Sequence, residues 1–523
     1  MPEKLPPTLI IDFKHGYATD MIPQVRQIDH FETAENVVFE QSGAARKVGG
    51  SERINATAMA GGPNVMGMFD GWFAGASGTW TEKFFAVTSD SKVYREDMDG
   101  TFDDATGAAT ITADAVPVFC QFNDLTIIFT SARDTPLKHV GGTGNVASLS
   151  GSPPAGRGAV AHANRLWIYG TKANPSRIYY SAYGDPETWS GVDTGLFDVD
   201  VNDGDELMGA VSHKDNLILF KGPNKGSIHV IEGRTPGQFA RRKLLKGIAL
   251  QSPNALIEVG DDIWFMSRRG IHSLSATQKY GNFAEADLTR FQRGFFRSRV
   301  NLGQLARVSA VNYAAKSCAL WCMTLNGQSE PNLIFGLSYI RAQEEGIKPF
   351  LWTNRSCFSA ATRLNPTSHL EEIVFGTTNG FAERQDTVNR KLANNSAYGM
   401  NIKTPQIILA PPAPRGDQPV SLQRMYLKSQ PLGDWDVIAT IQRDSHAAEE
   451  YRFNQGTSGF LLGTDILGIG FLGGDMGQTA VANLVGTARS IKVGFKQAGV
   501  NEDAHLYEAG IDYVPVATTT ESA

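Results

Sequence analysis

Seven times along the chain an apolar run, a polar or glycine turn and a second apolar run follow one another. The first runs begin at Phe84 (FFAVTSDSKVYRED), Leu125 (LTIIFTSARDTPLKHV), Leu166 (in NRLWIYGTKANPSRIYY), Leu217 (LILFKGPNKGSIHVIEG), Ile263 (IWFMSRRGIHSLS), Ala319 (ALWCMTLNGQSEPNLIFGLS) and Ile373 (IVFGTTNGFAERQD). Each is a hairpin signature. Their starts are spaced by 41, 41, 51, 46, 56 and 54 residues. A period of about 40–50 residues built of hairpins, with no helical periodicity between them, is the mark of propeller blades.

The runs are apolar on both faces. In LWIY, Leu166 and Ile168 point one way and Trp167 and Tyr169 the other. A sheet with one wet face alternates apolar with polar residues, whereas a strand sandwiched between two neighbouring sheets is covered on both sides. The 54 glycines among 523 residues, with abundant β-branched and aromatic residues, agree with many short strands and tight turns. The expected fold is mainly β: a propeller of six to eight blades with an additional β-sandwich-like platform from the terminal regions.

Residues 56–395 are assigned to the propeller. Residues 1–55, with the strand candidate TLIIDF, form an arm that joins the platform, since a lone edge strand needs a partner. Past the Pro-rich IILAPPAPRGDQPV (407–420), runs such as VSLQRMYLK, WDVIATIQRD, RSIKVGFKQ and HLYEAGIDYVPV alternate more regularly. They mark 396–523 as a sandwich-like platform domain. One helix is expected in AEADLTRFQRGFFRSRV (284–300), with acids early and arginines late, although Gly294 weakens it. The glycine-punctuated GFLLGTDILGIGFLGG (459–474) is read as strands, being too short and too interrupted to span a bilayer. ATTTESA at the end is read as disordered.

The net charge of −6 argues against a protein that grips phosphate backbones by bulk positive charge. The N-terminus lacks a basic region followed by an apolar stretch, so no secretory signal is expected. Cys120, Cys318, Cys322 and Cys357 lack CxxC spacing and read as buried thiols rather than a zinc or redox site. No HExxH, nucleophile elbow or dinucleotide fingerprint is present. The nearest to a catalytic signature is SAYGDPETW (181–189). It matches the sialidase-type Asp box S-x-D-x-G-x-x-T-W at Ser181, Thr188 and Trp189, but has Tyr183 and Asp185 where that pattern has Asp and Gly. GPNKGS (222–227) imitates a phosphate loop but joins two strands, and reads as a turn. DVDVNDGDE (198–206) aligns Asp198, Asp200 and Asn202 with a calcium loop, yet places Asp203 where glycine is required. A solvated turn is the main reading there and a bound divalent cation the alternative.

Charge is unevenly distributed. Residues 185–206 hold eight acids and no Lys or Arg: Asp185, Glu187, Asp193, Asp198, Asp200, Asp203, Asp205 and Glu206. Residues 234–299 hold twelve Lys or Arg against five acids, including Arg241, Arg242, Lys243, Arg290, Arg293, Arg297 and Arg299, with Phe291, Phe295 and Phe296 interleaved. The acidic stretch is a candidate channel lining or inter-subunit surface, and the basic set a candidate contact surface for a subunit, a partner or nucleic acid.

ENVVFEQSGAARKVGG (35–50), the Leu166 blade, DGDELMGAVSHKDNLILFKGPNKGSIHVIEG (203–233) and IALQSPNALIEVGDDIWFMSRRGIHSL (248–274) together resemble the tail nozzle, or tail tubular protein B, family of short-tailed bacteriophages. That resemblance implies a non-enzymatic virion protein of the phage tail, made in the bacterial cytoplasm. It further implies a homo-oligomer, a hexamer, beneath a head-to-tail adaptor ring and beside tail fibre or other tail proteins. Such a ring retains packaged double-stranded DNA and passes it without sequence specificity; no cofactor, catalytic residue or membrane span is implied. The alternatives are a glycan-degrading propeller enzyme, sialidase-like or a depolymerase, and a host-binding adhesin.

Overall fold

Each of the seven recurrent runs forms the second strand of its own sheet. The computed structural model describes residues 8–20, 30–40, 43–75, 78–275, 287–409, 419–456 and 478–516. Blade 1 comprises Val65–Ala74, Trp80–Thr88, Val93–Glu96 and Phe102–Asp104. Blade 2 runs from Pro117–Phe122 to Ala147–Ser148, blade 3 from Gly158–His162 to Gly195–Asp198, and blade 4 from Glu206–His213 to Ala240–Lys246. A three-stranded blade 5 spans Leu256–Val259, Asp262–Ser267 and Gly270–Ser273. Blade 6 runs from Ser309–Tyr313 to Lys348–Thr353. Blade 7 is built from Ser359–Leu364, Glu371–Gly376, Ala382–Thr387 and the distant Gly50–Arg53. The result is a β-propeller with six four-stranded blades and one three-stranded sheet completing the ring.

Coverage of both faces is visible residue by residue. Leu166 and Ile168 pack with Val118, Cys120 and Ile127 of blade 2, whereas Trp167 and Tyr169 pack with Leu217, Leu219 and Ile231 of blade 4. All four are buried. Removing side chains of this size from water stabilises by about 1.5–3 kcal/mol each, so the blades hold one another through these central strands.

Gly50–Arg53 closes the ring by pairing Glu383 with Arg53, Arg384 with Glu52 and Gln385 with Ser51. Upstream of it the N-terminal segment enters a β-sandwich. Thr8–Asp12 pairs with His505–Pro515, and the hairpin Val37–Phe39 and Ala45–Lys47 borders the same strand. Thr33–Glu35 pairs with Met400–Lys403 in the facing sheet, which also holds Asp436–Arg443 and Ser490–Gln497. Glu35 further meets Leu351 of blade 6 in a parallel bridge. Asn36 fastens this junction: its Nδ2 donates to Gly399 O at 2.8 Å, and its Oδ1 accepts from Thr353 N at 2.9 Å. Trp321, Trp352, Phe39 and Phe495 consequently belong to one continuous core shared by the sandwich and blades 5 and 6.

The expected helix is shorter than its sequence pattern. A 3-10 turn at Arg290–Gln292 leads into a single helical stretch, Arg293–Ser298. Gly294 abuts Asp20, whose Oδ2 accepts from Gly294 N at 2.6 Å. Phe295 and Phe296 anchor the stretch by packing on Phe335 of blade 6 at 5.6 and 5.1 Å. The runs 459–474 and 517–523 lie outside the described residues. Among those described, no helix is long and apolar enough to cross a membrane.

A Cβ at Gly50 would lie 2.0 Å from the carbonyl oxygen of Lys391. Gly50→Ala therefore forces the closing strand away from blade 7 and is expected to lower stability by about 1–3 kcal/mol in urea denaturation. An unchanged midpoint would show that closure tolerates that displacement.

Candidate active site

The first hairpin of blade 1 gathers two carboxyl groups and two indoles on one face. Antiparallel register places Asp70 opposite Phe84, Trp72 opposite Glu82 and Ala74 opposite Trp80. With side chains alternating along each strand, Asp70 and Trp72 share a face with Glu82 and Trp80. Gly71, on the other face, leaves room for blade 2: a Cβ there would meet Thr126 Oγ1 at 2.6 Å and the Phe85 ring at 2.9 Å. The strand can thus sit tightly on blade 2 while its polar face turns towards blade 7.

Trp72 Nε1 donates to Asp70 Oδ2 at 3.0 Å. Asp70 Oδ1 and Glu82 Oε1 are buried and find no hydrogen-bond partner in the protein, and each carboxyl influences the other's protonation. Burial, followed by the charge of Glu82, pushes Asp70 up to about 8; burial also raises Glu82. The nearest cation is engaged elsewhere. Arg363 Nε bonds Glu372 at 2.6 Å, and its Nη1 bonds Glu96 at 2.9 Å. Burial and mutual repulsion therefore both favour the protonated form of this pair, Asp70 above all. Trp80, two residues before Glu82, is 64% exposed. The arrangement offers a proton donor beside flat apolar surfaces suited to the ring faces of a sugar.

The acids expected as a channel or inter-subunit surface are engaged within the chain. Asp185 folds its own turn, accepting from Glu187 N at 2.9 Å and Thr188 Oγ1 at 2.7 Å, so SAYGDPETW is a turn-forming element. Glu187 pairs with Lys138 at 2.6 Å, Asp193 with Arg165 at 2.6 Å and Asp198 with Arg177 at 2.7 Å. Asp200 meets Arg241 and Lys243, while Glu206 lies between Arg133 and Arg157. Asp205 accepts backbone N–H bonds from Asn224, Lys225 and Gly226 at 2.7–3.0 Å. The phosphate-loop look-alike GPNKGS thus cradles an anion, and that anion is the protein's own. None of the eight lines the 550 Å³ cavity along the propeller axis, whose wall includes Phe69, Phe119, Gln121, Ser212, Asn254 and Glu258.

The calcium-like turn closes around an ammonium group. Lys221 Nζ, fully buried, bonds Val199 O at 2.9 Å, Asp200 O at 2.8 Å, Asp203 Oδ1 at 2.7 Å and Ser176 Oγ at 3.1 Å. Among the described residues no cluster of His, Cys, Asp or Glu is placed to hold a metal ion. The four cysteines are buried and unbridged, and burial pushes Cys120 and Cys318 up to about 12.

The basic set divides. Arg242 pairs with Glu232 at 2.8 Å and Arg293 with Asp287 at 2.8 Å. Arg290 lies over Phe291 at 4.5 Å and Arg299 over Phe295 at 5.9 Å, while Arg297 is exposed. Phe295 and Phe296 are buried, which removes them as stacking platforms for nucleic-acid bases.

No family model and no curated protein matches the chain. Two solved structures similar to it are exo-beta-1,3-galactanase from Phanerochaete chrysosporium with galactose, and a point variant of that enzyme with beta-1,3-galactotriose. The first is 11% identical, covering 84% of this chain and 95% of its own at a TM-score of 0.26. The second is 9% identical, covering 89% and 100% at a TM-score of 0.27. These neighbours are glycan-acting enzymes. Neither is a tail nozzle protein, the family expected from the sequence, and at these TM-scores their activity carries no argument about this chain. At this level of likeness no residue roles transfer from them.

Two stability measurements check the site electrostatics. An unfolded aspartate titrates near about 3.9, whereas folded Asp70 holds its proton to about 8. The pair's contribution is therefore fully present below about pH 4 and is lost as pH rises through about 8. Urea denaturation from pH 5 to 9 is expected to show that decline in the wild type and a flatter profile in Asp70→Asn. Lys221→Met leaves buried acceptors without their donor and is expected to cost about 3 kcal/mol; a loss below about 1 kcal/mol would mean that water replaces the ammonium.

Proposed function

We propose that this chain is a carbohydrate-acting propeller that binds a saccharide on the Trp72–Trp80 face of blade 1 and delivers a proton to it from Asp70. The observation that carries this reading is the buried pair of carboxyl groups that shares one face of the hairpin with two indoles, one of them exposed. A general acid needs a pKa close to the working pH, and burial beside a second carboxylate supplies it. Trp80 offers an exposed stacking surface two residues from Glu82, so a ring resting on it lies beside the acid.

The pair differs from the opposed acid and base of two-carboxylate hydrolases, whose carboxyl groups stand about 5–9.5 Å apart. Here they sit side by side on one hairpin face. Glu82 acts as a positioning residue that favours the protonated form of Asp70, and Asp70 passes its proton to the glycosidic oxygen as that oxygen's bond to the anomeric carbon breaks, water supplying the hydroxyl that replaces it.

Reducing-end release from a panel of α- and β-linked neutral and acidic polysaccharides tests the proposal. Activity is expected to fall on an alkaline limb near pH 8. Asp70→Asn should lower kcat about a hundredfold or more, while Trp80→Ala should act mainly on KM. Glu82→Gln should shift the alkaline limb downwards. No release from any polymer, together with glycan binding indifferent to Trp80→Ala, would overturn the reading.

A further inference from the structure

The first strands of all seven blades border the 550 Å³ axial cavity, from Phe69 of blade 1 to Ser359 of blade 7. Among the described residues its wall holds no Lys or Arg, and Glu258 is its one carboxylate. Phe69 and Phe119, stacked with ring centroids 5.3 Å apart, add apolar surface. Such a wall suits a small neutral molecule with an apolar part better than an anion.

Ser212, partly buried in this wall, has a base beside it. Side chains alternate along a strand, so Ala210 and Ser212 of Glu206–His213 face blade 3, and Val160 and His162 of Gly158–His162 face blade 4. The two faces bring His162 Nδ1 to 2.7 Å from Ser212 Oγ. His162 is 5% exposed, and its carbonyl accepts from Trp167 Nε1 at 3.0 Å. Its Nε2 is buried without a hydrogen-bond partner, so among the described residues Ser212 is the one group the ring bonds. Burial lowers the imidazole's pKa, and the charges that face it, Asp215 and Arg234, pair with each other at 2.7 Å. The ring is therefore neutral at pH 7, and with its proton on Nε2 it offers Nδ1 to the Ser212 hydroxyl.

Ser212 also presents its backbone N–H. Lys214 and Asp215, with φ of 48° and 63°, form a two-residue turn closed by His213 opposite Asn216. The next pair, Ser212 and Leu217, points its N–H groups away from each other. The Ser212 N–H thus lies on the strand edge that borders the cavity, a donor for a carbonyl oxygen as it gains negative charge.

We propose that Ser212 is a nucleophile, with His162 as its general base, for acyl transfer from a short, neutral carboxylic ester held in the axial cavity. Ser212 Oγ attacks the carbonyl carbon as its proton moves to His162 Nδ1; the ester C–O bond breaks, and the leaving alkoxide takes that proton. Water then attacks the acyl-serine, its proton again passing to Nδ1, and the carboxylic acid departs as Ser212 regains its hydrogen. This chemistry uses neither Asp70 nor Glu82 and does not rest on the carbohydrate reading.

Hydrolysis of p-nitrophenyl acetate, and labelling by a small fluorophosphonate located by peptide mass spectrometry, test the assignment. Time-dependent addition of one phosphonyl group to Ser212 is expected, with ester turnover lost in step. Ser212→Ala is expected to abolish both, and His162→Gln to slow both about a hundredfold or more. Should His162→Gln fail to fold, the labelled position and Ser212→Ala decide. The proposal is overturned if Ser212 stays unlabelled, if turnover survives Ser212→Ala, or if folded His162→Gln is labelled at the wild-type rate.

Discussion

A ring of sheets is stable only when its last member leaves no open edge, and here that condition is met by four residues, Gly50–Arg53, reaching blade 7 from more than 300 positions away in the chain. Exposed edges invite pairing with other chains, so closure is the constraint on which the other blades depend. It also fixes the N-terminal segment. To reach blade 7 the chain first threads the sandwich, and Asn36 and Trp352 bind that passage to blade 6 through Gly399 O, Thr353 N and Val37 O. The sandwich and ring accordingly share one core.

The carboxyl pair borders this closing blade. Asp70 and Glu82 face it from blade 1, where Met68, Phe84 and Tyr94 pack with Ala361, Val374 and Ala382. Polar groups collect there because closing a ring from distant segments leaves junctions that continuous hairpins do not have. Arg363 spans the first junction, linking blade 7 to Glu96 of blade 1.

The blade repeat was legible because a central strand must be apolar on both faces, and LWIY announces this without any partner in view. First strands were harder to read. They border the axial cavity, carry glycines at close contacts such as Gly67 and Gly71, and mix polar with apolar residues. The sequence repeat therefore began at Phe84 and passed over VMGMFDGWFA. The acid pair was hidden by the same omission, since Asp70 and Glu82 meet only when Val65–Ala74 pairs with Trp80–Thr88. The usable signal was D-x-W followed, across a glycine turn, by W-x-E. Charge runs were incomplete in the opposite way: 185–206 looks wholly acidic, and the cations that meet it arrive from blades 2, 3 and 4 through Lys138, Arg165, Arg177, Lys221 and Arg241.

The contrast between the two kinds of carboxylate sets Asp70 apart from the structural acids. Asp198 and Glu187 are held below the ordinary carboxylate range by hydrogen bonds from Arg177 and Lys138, so they stay ionised and act as fasteners. Asp70 is equally part of a polar network, but the arginine within reach is already shared by Glu96 and Glu372, and its closest neighbour is another acid. Desolvation and the neighbouring acid then outweigh the Trp72 hydrogen bond and the charge of Arg363, and the carboxyl's pKa rises. An acid that serves structure is given a cation; an acid left beside a second acid at the edge of the ring retains a proton that it can give away.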